Sequence, residues 1–311
     1  MQKKQFGQVI RNDGPESHLK KAGTPTMGGV FIILSVLLGV LIGGNFLSEP
    51  LLCCLFAMVS LCALGFLDDY LKVLKKNSDG VSPKMKLLWQ TSTALSLGYY
   101  LISQGVIDTT LHVPFIKEGI VDLGWFYLVF ICVVVVGSSN AVNLTDGLDG
   151  LAIGPILTSS ATLGFLAYVA GHAALSEYLL IPYVEGSGEL AVLAAAVVGS
   201  GVGFLWYNAY PAQIFMGDVG SLSLGGLLGT MAVVTKNEIL FAVVGGVFVF
   251  EALSVMIQVL GYKWKKKRVF KMAPVHHHFE LMGWPEPKVI VRFWIISVFL
   301  ASLAIATLKL R

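Results

Sequence analysis

Charged residues are scarce in this chain. They make up 13% of its 311 residues, whereas a soluble domain carries about 25%. Hydrophobic residues make up 55%, which is more apolar surface than one water-soluble core can bury. Apolar runs of about 20 residues recur, and a helix of about 20 residues crosses a hydrocarbon layer of roughly 30 Å. The scarcity of charge therefore excludes a soluble domain and predicts an all-α polytopic membrane protein.

Cysteine is scarce as well, and this excludes a disulfide framework. The chain has four cysteines, all within apolar runs, where cysteine behaves as a small buried hydrophobe rather than a metal ligand. An early apolar segment is also missing, because residues 1–27 are polar and basic, so no cleavable signal peptide is expected. No internal repeat or low-complexity segment stands out, and residues 1–311 are expected to form a single integral-membrane domain.

Ionisable residues are nearly missing from the middle of the apolar runs, with Glu251 as the exception and Arg292 just inside the last run. An ion or proton pathway needs such groups at depth, so their scarcity argues against a transporter. Ser254 and Gln258 lie on the same helical face as Glu251. This polar stripe is expected to face the bundle interior or a cytoplasmic cleft, where a hydrogen bond to a neighbouring helix and a substrate contact are both open.

Hydropathy predicts nine membrane spans. They cover approximately residues 28–47, 51–67, 87–105, 124–140, 150–171, 189–208, 219–235, 239–261 and 289–308. All but five of the 22 lysines and arginines lie in segments 1–27, 68–86 and 262–288. Basic residues concentrate in cytoplasmic loops, so these segments are predicted to be cytoplasmic.

Two segments are then expected on the outer side. Residues 109–116 alternate polar and apolar side chains, and Gly119 precedes Ile-Val-Asp at 120–122, which predicts a short β-hairpin or, equally, an irregular loop. Residues 172–188 form an acidic loop to which no structure is assigned.

The first acidic cluster is the pair Asp68 and Asp69 at the end of the second span. Exposed carboxylates at a helix C-terminus oppose the helix dipole at a cost of about 0.3–1 kcal/mol each, and adjacent ones repel each other. A nearby cation would offset this cost. Lys72 and its neighbours Lys75 and Lys76 are candidates, and so is Mg²⁺. The alternative is that both acids only mark the membrane edge.

The second cluster lies in the loop at residues 140–150. Asp146 and Asp149 are three residues apart, as are Asn140 and Asn143, so in a helical segment each pair faces one site. Two other readings stay open. The loop could be a solvated turn, and Asp149 could cap the next helix.

The third cluster surrounds Asp218, which precedes the seventh predicted span and is a candidate N-cap. A helix N-terminus flanked by glycines suits phosphate, but a carboxylate there repels phosphate unless a divalent metal lies between them. Mg²⁺ favours this combination of carboxylate and phosphate oxygens. Phe215 is a candidate for stacking on a base, or an interfacial anchor.

The last segments are basic or rich in histidine. Residues 265–268 form a basic run that is best explained as a topology signal. His276, His277 and His278 are consecutive, and three consecutive imidazoles cannot all point to one metal in regular structure. Phosphate or sugar contacts are therefore favoured over a zinc site. In the N-terminal tail, Lys21 is a weaker candidate for contact with an anion.

These clusters place aspartates, asparagines, lysines and histidines at the predicted cytoplasmic membrane edge. A soluble anion can meet a lipid headgroup there, and magnesium-dependent phosphoryl chemistry fits that position.

The motifs resemble one known family. They are Phe-Leu-Asp-Asp-Tyr at 66–70, Asn-Ala-Val-Asn-Leu-Thr-Asp-Gly-Leu-Asp-Gly at 140–150, Phe-Met-Gly-Asp-Val-Gly-Ser at 215–221 and Ala-Pro-Val-His-His-His at 273–278. Together they resemble the bacterial phospho-N-acetylmuramoyl-pentapeptide-transferase family of the polyprenyl-phosphate N-acetylhexosamine-1-phosphate transferase superfamily. The resemblance runs along essentially the whole chain, and the histidine loop and the tail at 11–18 favour the muramoyl branch.

The resemblance implies a reaction and its setting. UDP-N-acetylmuramoyl-pentapeptide and undecaprenyl phosphate would give lipid I and UMP with Mg²⁺, the first membrane step of peptidoglycan synthesis in the bacterial cell wall. The protein would be a multi-pass protein of the inner membrane with its active site on the cytoplasmic face. A homodimer is suggested, and no nucleic-acid partner is expected.

The resemblance also implies residue roles. Asp68, Asp69, Asp218 and His277 would be catalytic. Asp218 and Asn143 would hold the metal. Substrate binding would fall to Lys21, Lys72, Asn140, Asn143, Asp146, Asp149, Asn208, Phe215, His276 and His278.

Some alternatives remain. The family has ten spans, and the one that precedes the first span here is expected to be missing. The lipid phosphate could attack directly, which is the favoured route, or an aspartyl–phosphosugar intermediate could form on Asp68 or Asp69. The rival functions are a sister transferase using UDP-N-acetylglucosamine, a secondary transporter and a non-catalytic lipid-binding protein.

Overall fold

The computed structural model describes residues 23–75, 80–113 and 121–308, and most of these residues are helical. The elements within these ranges are α1 (Gly29–Gly43), α2 (Glu49–Lys75), α3 (Pro83–Ser103), β1 (Thr110–Leu111), β2 (Val121–Asp122), α4 (Phe126–Thr145), α5 (Ile153–Ala170), α6 (Ala173–Leu179), a 3-10 turn (Ser187–Glu189), α7 (Leu190–Asn208), α8 (Gly217–Val234), α9 (Glu238–Val244), α10 (Gly246–Lys265), α11 (Val275–Leu281) and α12 (Glu286–Thr307). The prediction of an all-α polytopic membrane protein is confirmed.

Seven of the described helices are long and apolar enough to cross a membrane: α2, α4, α5, α7 with its 3-10 turn, α8, α10 and α12. Helix α1 is apolar but has 15 residues, and α3 has 21 residues with a polar first half. These two helices match the remaining two predicted spans in position, while the other seven have the length and hydropathy of a membrane crossing. The predicted span at 239–261 is divided at Gly245 into α9 and α10.

Helix α8 is the centre of the bundle. All of its residues after Gly217 and Asp218 are buried, and it packs against α1, α2, α4 and α5. Small residues allow neighbouring backbones to come this close. A Cβ on Gly65 of α2 would lie 2.2 Å from the carbonyl oxygen of Asp218, and one on Gly225 of α8 would lie 2.6 Å from the carbonyl oxygen of Ser138. The helices around α8 are therefore in backbone contact.

This packing brings four helix ends to one side of the bundle. Helix α2 reaches it with its C-terminal turns and α4 with its last turn, whereas α3 and α8 begin there. Because the four segments carry the acidic residues and two lysines, the site described below forms where they meet.

A second, smaller core lies beside the loop at residues 146–152. It joins this loop to α10, α11 and α12. Its buried members are Leu148, Leu151, Val247, Val275, Val289, Ile290 and Phe293. Trp284 stacks on Phe279 with ring centroids 4.8 Å apart, and the guanidinium of Arg292 covers Trp284 at 4.1 Å. These contacts hold the short histidine helix α11 against the bundle.

The hairpin that the sequence left open lies between α3 and α4. Strand β1 pairs with β2 in antiparallel register, with Thr110 opposite Asp122 and Leu111 opposite Val121. The prediction of a short β-hairpin is confirmed. The acidic segment at 172–188 contains helix α6, which hydropathy did not predict because it has seven residues.

The backbone contact at Gly225 yields a stability prediction. We expect Gly225→Ala to lower the free energy of unfolding by about 1–3 kcal/mol, because the added methyl group must separate α8 from α4. Thermal unfolding in detergent measures this effect. Gly199→Ala on α7 is the control, since a Cβ there meets nothing within 4 Å. Equal melting temperatures for the two variants would contradict the role assigned to the α8 contact.

Candidate active site

Three carboxylates converge at the end of the bundle where α8 begins. Asp68 and Asp69 lie on α2, and Asp218 lies in the first turn of α8. One oxygen from each lies within 4.8 Å of the others. Asp68 and Asp69 are buried, and the side chain of Asp218 is 14% exposed. Two acidic motifs that are 150 residues apart therefore form one site, and the reading that they merely mark the membrane edge is wrong.

Two lysines lie among these carboxylates. The Lys72 ammonium is 2.6 Å from Asp68 Oδ2 and 3.4 Å from Asp218 Oδ2. The Lys86 ammonium is 2.9 Å from Asp68 Oδ1 and 2.7 Å from Asp218 Oδ2. Each lysine thus bridges α2 and α8. Their charges offset the repulsion between the acids, which would otherwise be severe at this burial.

Lys86 is the site residue that the sequence reasoning missed. It lies in the first turns of α3, in the basic segment 68–86 that was used only to orient the chain. Ser82 caps this helix by accepting a hydrogen bond from the backbone N–H of Met85. A sequence signal does exist: Lys84 and Lys86 are two residues apart and so point to different sides of α3. Lys84 is exposed, whereas Lys86 reaches the carboxylates.

Backbone groups hold the acidic pair in place. The backbone N–H of Val81 donates to Asp68 Oδ1 at 2.7 Å, and that of Val219 donates to Asp69 Oδ2 at 3.2 Å. Gly217 has a φ of +74°, and a Cβ there would lie 2.4 Å from Asp69 Oδ2. Glycine is therefore required at this turn, both for its left-handed backbone and for the space that the carboxylate occupies.

Asn143 supports Asp218 from α4. Its side-chain amide donates to Asp218 Oδ1 at 3.0 Å and to Ser221 Oγ at 2.8 Å. In this arrangement Asn143 fixes the carboxylate through its amide nitrogen. The predicted neighbour Asn140 belongs to a different network, since its amide donates to Gln90 Oε1 of α3 at 2.9 Å.

The loop after α4 separates its two aspartates. Asp146 follows the last residue of α4, and burial raises the pKa of its carboxyl well above the usual range, with the nearby charges of Asp218, Asp69 and Asp149 adding to the effect. This concentration of negative charge favours a bound cation. Asp149 instead turns towards the 209–216 loop, where its Oδ2 accepts from the backbone N–H of Ala212 at 2.9 Å.

Two capping predictions are wrong. Helix α5 begins at Ile153 with Ala152 at its N-cap, so Asp149 does not cap it. Helix α8 begins at Gly217 with Met216 at its N-cap, so Asp218 lies inside the first turn. Asp146 and Asp149 were expected to face one site if residues 146–149 were helical. These residues are not helical, because α4 ends at Thr145. Tertiary contacts to these carboxylates replace the local caps.

The loop at residues 209–216 places Phe215 beside the site. The Asn208 side-chain amide donates to the Ile214 carbonyl at 2.8 Å and closes this loop. The backbone N–H of Phe215 donates to the Pro25 carbonyl, and its carbonyl accepts from the N–H of Gly28, both at 2.8 Å. Asn208 is buried and shapes the loop, whereas the Phe215 side chain is partly exposed.

The three histidines of α11 point in three directions. His276 is buried, with Nδ1 3.1 Å from Glu251 Oε1, and His277 Nδ1 is 2.8 Å from Glu280 Oε2. His278 Nδ1 accepts from the backbone N–H of Lys271 at 3.1 Å. The expectation that the triplet cannot hold one metal is consistent with this geometry. Lys21 lies outside the residues that the structure describes.

The donor set suits a divalent cation. Within the described parts of the chain, one group of three acidic, histidine or cysteine side chains lies close enough together to hold one metal ion. Its members are Asp68, Asp69 and Asp218. Their oxygens are the hard ligands that Mg²⁺ prefers. Lys72 and Lys86 occupy these oxygens here, so the same carboxylates can pair with ammonium groups or with a metal.

Comparisons with known proteins find related sequences along nearly the whole chain. The sequence profile of Glycosyl transferase family 4 matches residues 51–236, and signature 1 of phospho-N-acetylmuramoyl-pentapeptide-transferase matches residues 21–33. The chain is 57% identical to the phospho-N-acetylmuramoyl-pentapeptide-transferase of Citrifermentans bemidjiense over 99% of this chain and 86% of that one. It is 56% identical to the proteins of the same name from Pelobacter propionicus (99% and 86%) and Desulfotalea psychrophila (100% and 87%).

The carboxylate cluster predicts a divalent-cation site. We expect Asp218→Asn to weaken Mn²⁺ binding at least about tenfold, because it removes one of three charged oxygen ligands. Electron paramagnetic resonance of free Mn²⁺, in titrations of detergent-purified protein, measures the affinity. Glu177→Gln removes an exposed acid from α6 and should bind Mn²⁺ as the wild type does. Unchanged affinity in Asp218→Asn would rule out this site.

Proposed function

The chain belongs to the phospho-N-acetylmuramoyl-pentapeptide-transferase family, and from that membership we propose that it transfers phospho-N-acetylmuramoyl-pentapeptide from its UDP derivative to undecaprenyl phosphate. The products are lipid I and UMP, and the reaction belongs to peptidoglycan synthesis. The observation that carries this proposal is the meeting of Asp68, Asp69 and Asp218 with two lysines at one end of a membrane bundle. An anionic nucleotide and a lipid phosphate can reach the same point there.

Magnesium is part of the proposal. The three carboxylates would hold Mg²⁺, with Asn143 orienting Asp218 through its amide. When bound, Mg²⁺ neutralises charge that develops on the diphosphate during transfer. The acidic surroundings of Asp146 support this assignment, because the charge there is negative and a divalent cation would offset it.

The lysines supply positive charge for the two phosphate substrates. An oxygen of the lipid phosphate attacks the phosphorus that carries the sugar. The bond from that phosphorus to the bridging oxygen breaks, and UMP leaves with the electron pair. Lys72 and Lys86 can reach the phosphate oxygens because their side chains are partly exposed. Their ammonium groups stabilise the negative charge on these oxygens throughout the transfer. Most of the rate enhancement comes from position and electrostatics, as is usual for phosphoryl transfer.

The geometry supports direct attack by the lipid phosphate. Asp68 is fully buried. Its Oδ1 contacts Lys86 and the backbone N–H of Val81, and its Oδ2 contacts Lys72. An attacking carboxylate would have to give up these contacts. Asp68 and Asp69 therefore position the lysines and the metal, whose positive charges stabilise an incoming phosphate. A covalent sugar phosphate trapped on either aspartate would overturn this route.

The nucleotide side is proposed from the surrounding loops. Phe215 would stack on the uracil, because its ring is partly exposed and its backbone is fastened to residues 25–28. His277 and His278 would contact the phosphates or the sugar. The 262–288 segment that contains them is basic, which supports placing this end of the bundle on the cytoplasmic face of the inner membrane.

A UMP-release assay tests the proposed function. Purified protein in detergent with undecaprenyl phosphate and UDP-N-acetylmuramoyl-pentapeptide should release UMP with Mg²⁺ and lose nearly all turnover in EDTA. UDP-N-acetylglucosamine in place of the muramoyl nucleotide should release little UMP. Equal release from both nucleotides would favour a sister transferase, and no release from either would refute the transferase assignment.

Lys86 provides a second test. We expect Lys86→Gln to lower kcat/KM roughly 100-fold, since removing one preorganised charged donor has an effect of this order. The matched control is Lys84→Gln, which removes an exposed lysine from the same turn of α3 and should keep activity within about twofold. Steady-state UMP release measures both. Similar activities of the two variants would show that Lys86 has no role in turnover beyond that of an exposed basic residue.

A further inference from the structure

Helix α10 buries an acid on an otherwise lipid-exposed surface. Only four of its 20 residues are buried: Val247, Phe248, Glu251 and Ser254. Glu251 is completely inaccessible, in a helix whose membrane-spanning part is 22% buried. A buried carboxylate is costly to retain, and an apolar side chain of similar volume often stabilises a fold as well or better. Its presence therefore calls for a specific partner.

That partner is the first histidine of α11. Glu251 Oε1 lies 3.1 Å from His276 Nδ1, and both side chains are at most 1% exposed. The other carboxylate oxygen, Oε2, has no hydrogen-bond partner among the described residues. The hydrogen bond to His276 is thus the polar contact that holds the Glu251 carboxylate, and it joins α10 to the histidine helix.

The far side of the His276 ring determines where its proton lies. Nε2 is buried without a hydrogen-bond partner in the described part of the chain. It lies against Gly147, where a Cβ would be 2.3 Å away. A proton on Nε2 would be a buried, unsatisfied donor, which is expensive. A proton on Nδ1 is accepted by Glu251, so the pair favours the Nδ1–H tautomer.

The His276 ring contacts two parts of the proposed active site, so its position affects both. Its ring packs against the His277 ring with centroids 4.1 Å apart. Its Nε2 edge contacts the loop residue that directly follows Asp146, and the Asp146 carboxyl is close enough to Asp218 and Asp69 to feel their charge. His276 itself is too buried to touch a substrate, so the prediction that it binds substrate is replaced by a structural link between α10, α11 and the acidic loop.

We propose that Glu251 is a positioning residue, which holds His276 in the Nδ1–H tautomer and thereby sets the distance between the histidine helix and the acidic loop at residues 146–150. The effect on turnover rests on the proposed function, whereas the tautomer of His276 does not. Small displacements matter here, because a shift of about 1 Å far from the reacting atoms can cost roughly 100-fold in rate.

Two substitutions separate the hydrogen bond from the charge. Glu251→Gln keeps an oxygen that accepts from His276 Nδ1–H, so we expect UMP release within about fivefold of wild type. Glu251→Leu has no acceptor and should lower kcat roughly 10- to 100-fold, the range typical for loss of a supporting hydrogen bond. Ser254→Ala is the control, since the buried Ser254 hydroxyl donates to the backbone carbonyl of Glu251 and, among the described residues, has no hydrogen bond to its carboxylate.

Nitrogen NMR on ¹⁵N-histidine-labelled protein reports the tautomer of His276, which a purely structural role of Glu251 would leave unchanged. The His276 signals are assigned by their loss in His276→Asn. Wild type, Glu251→Gln and Ser254→Ala should show the proton on Nδ1, and Glu251→Leu should lose that preference. Melting temperatures of the same samples, with Glu251→Leu close to wild type, establish that a loss of turnover does not come from unfolding.

The loop side gives an independent check. Gly147→Ala places a methyl group against His276 Nε2, and Gly147 does not have a left-handed backbone that would strain alanine. Gly147→Ala should slow turnover, and its effect should not add fully to that of Glu251→Leu, because both act through His276. An unchanged tautomer in Glu251→Leu, wild-type turnover in that variant, or full additivity would overturn the proposal. A wild-type protein with the Nδ1–H tautomer but no UMP release would refute the proposed function alone.

Discussion

The contact between two ammonium groups and three carboxylates at the start of α8 is the interaction on which the site depends. Asp68, Asp69 and Asp218 could not share one buried corner without compensating charge. Lys72 and Lys86 supply that charge from α2 and α3. The same arrangement keeps a cluster of oxygen ligands available to a divalent cation. The charge balance of this buried corner therefore comes from the same five side chains.

Close backbone packing is what brings these side chains together. Helix α8 is nearly all buried and is rich in glycine and serine, so α2 and α4 can approach its backbone. Gly65 and Gly217 adjoin the acids directly, and any side chain at either position would collide with the backbone or a carboxylate of the site. A lipid-exposed bundle can thus hold a polar centre at its end, because the small residues of its innermost helix leave room for the neighbouring backbones and carboxylates.

The site extends beyond the acids through the loops. Asp149 and Asn208 were expected to bind substrate, but their side chains hold the 209–216 loop in shape. His276 was expected to do the same and is instead buried against Glu251. All three residues are at most 3% exposed. Motif membership identifies residues near the chemistry, while burial and hydrogen bonds distinguish those that contact substrate from those that hold other residues.

The order of hydrophobic runs, the basic segments and the positions of the aspartates followed from local sequence, because hydropathy and charge act on each segment separately. This was sufficient to predict the long helices, the shared end of the bundle and the acidic cluster. The site role of Lys86, the break at Gly245 and the partner of Glu251 were decided only in three dimensions. Each depends on how one helix is rotated and displaced against another, and that relation is determined by close packing between residues far apart in the chain.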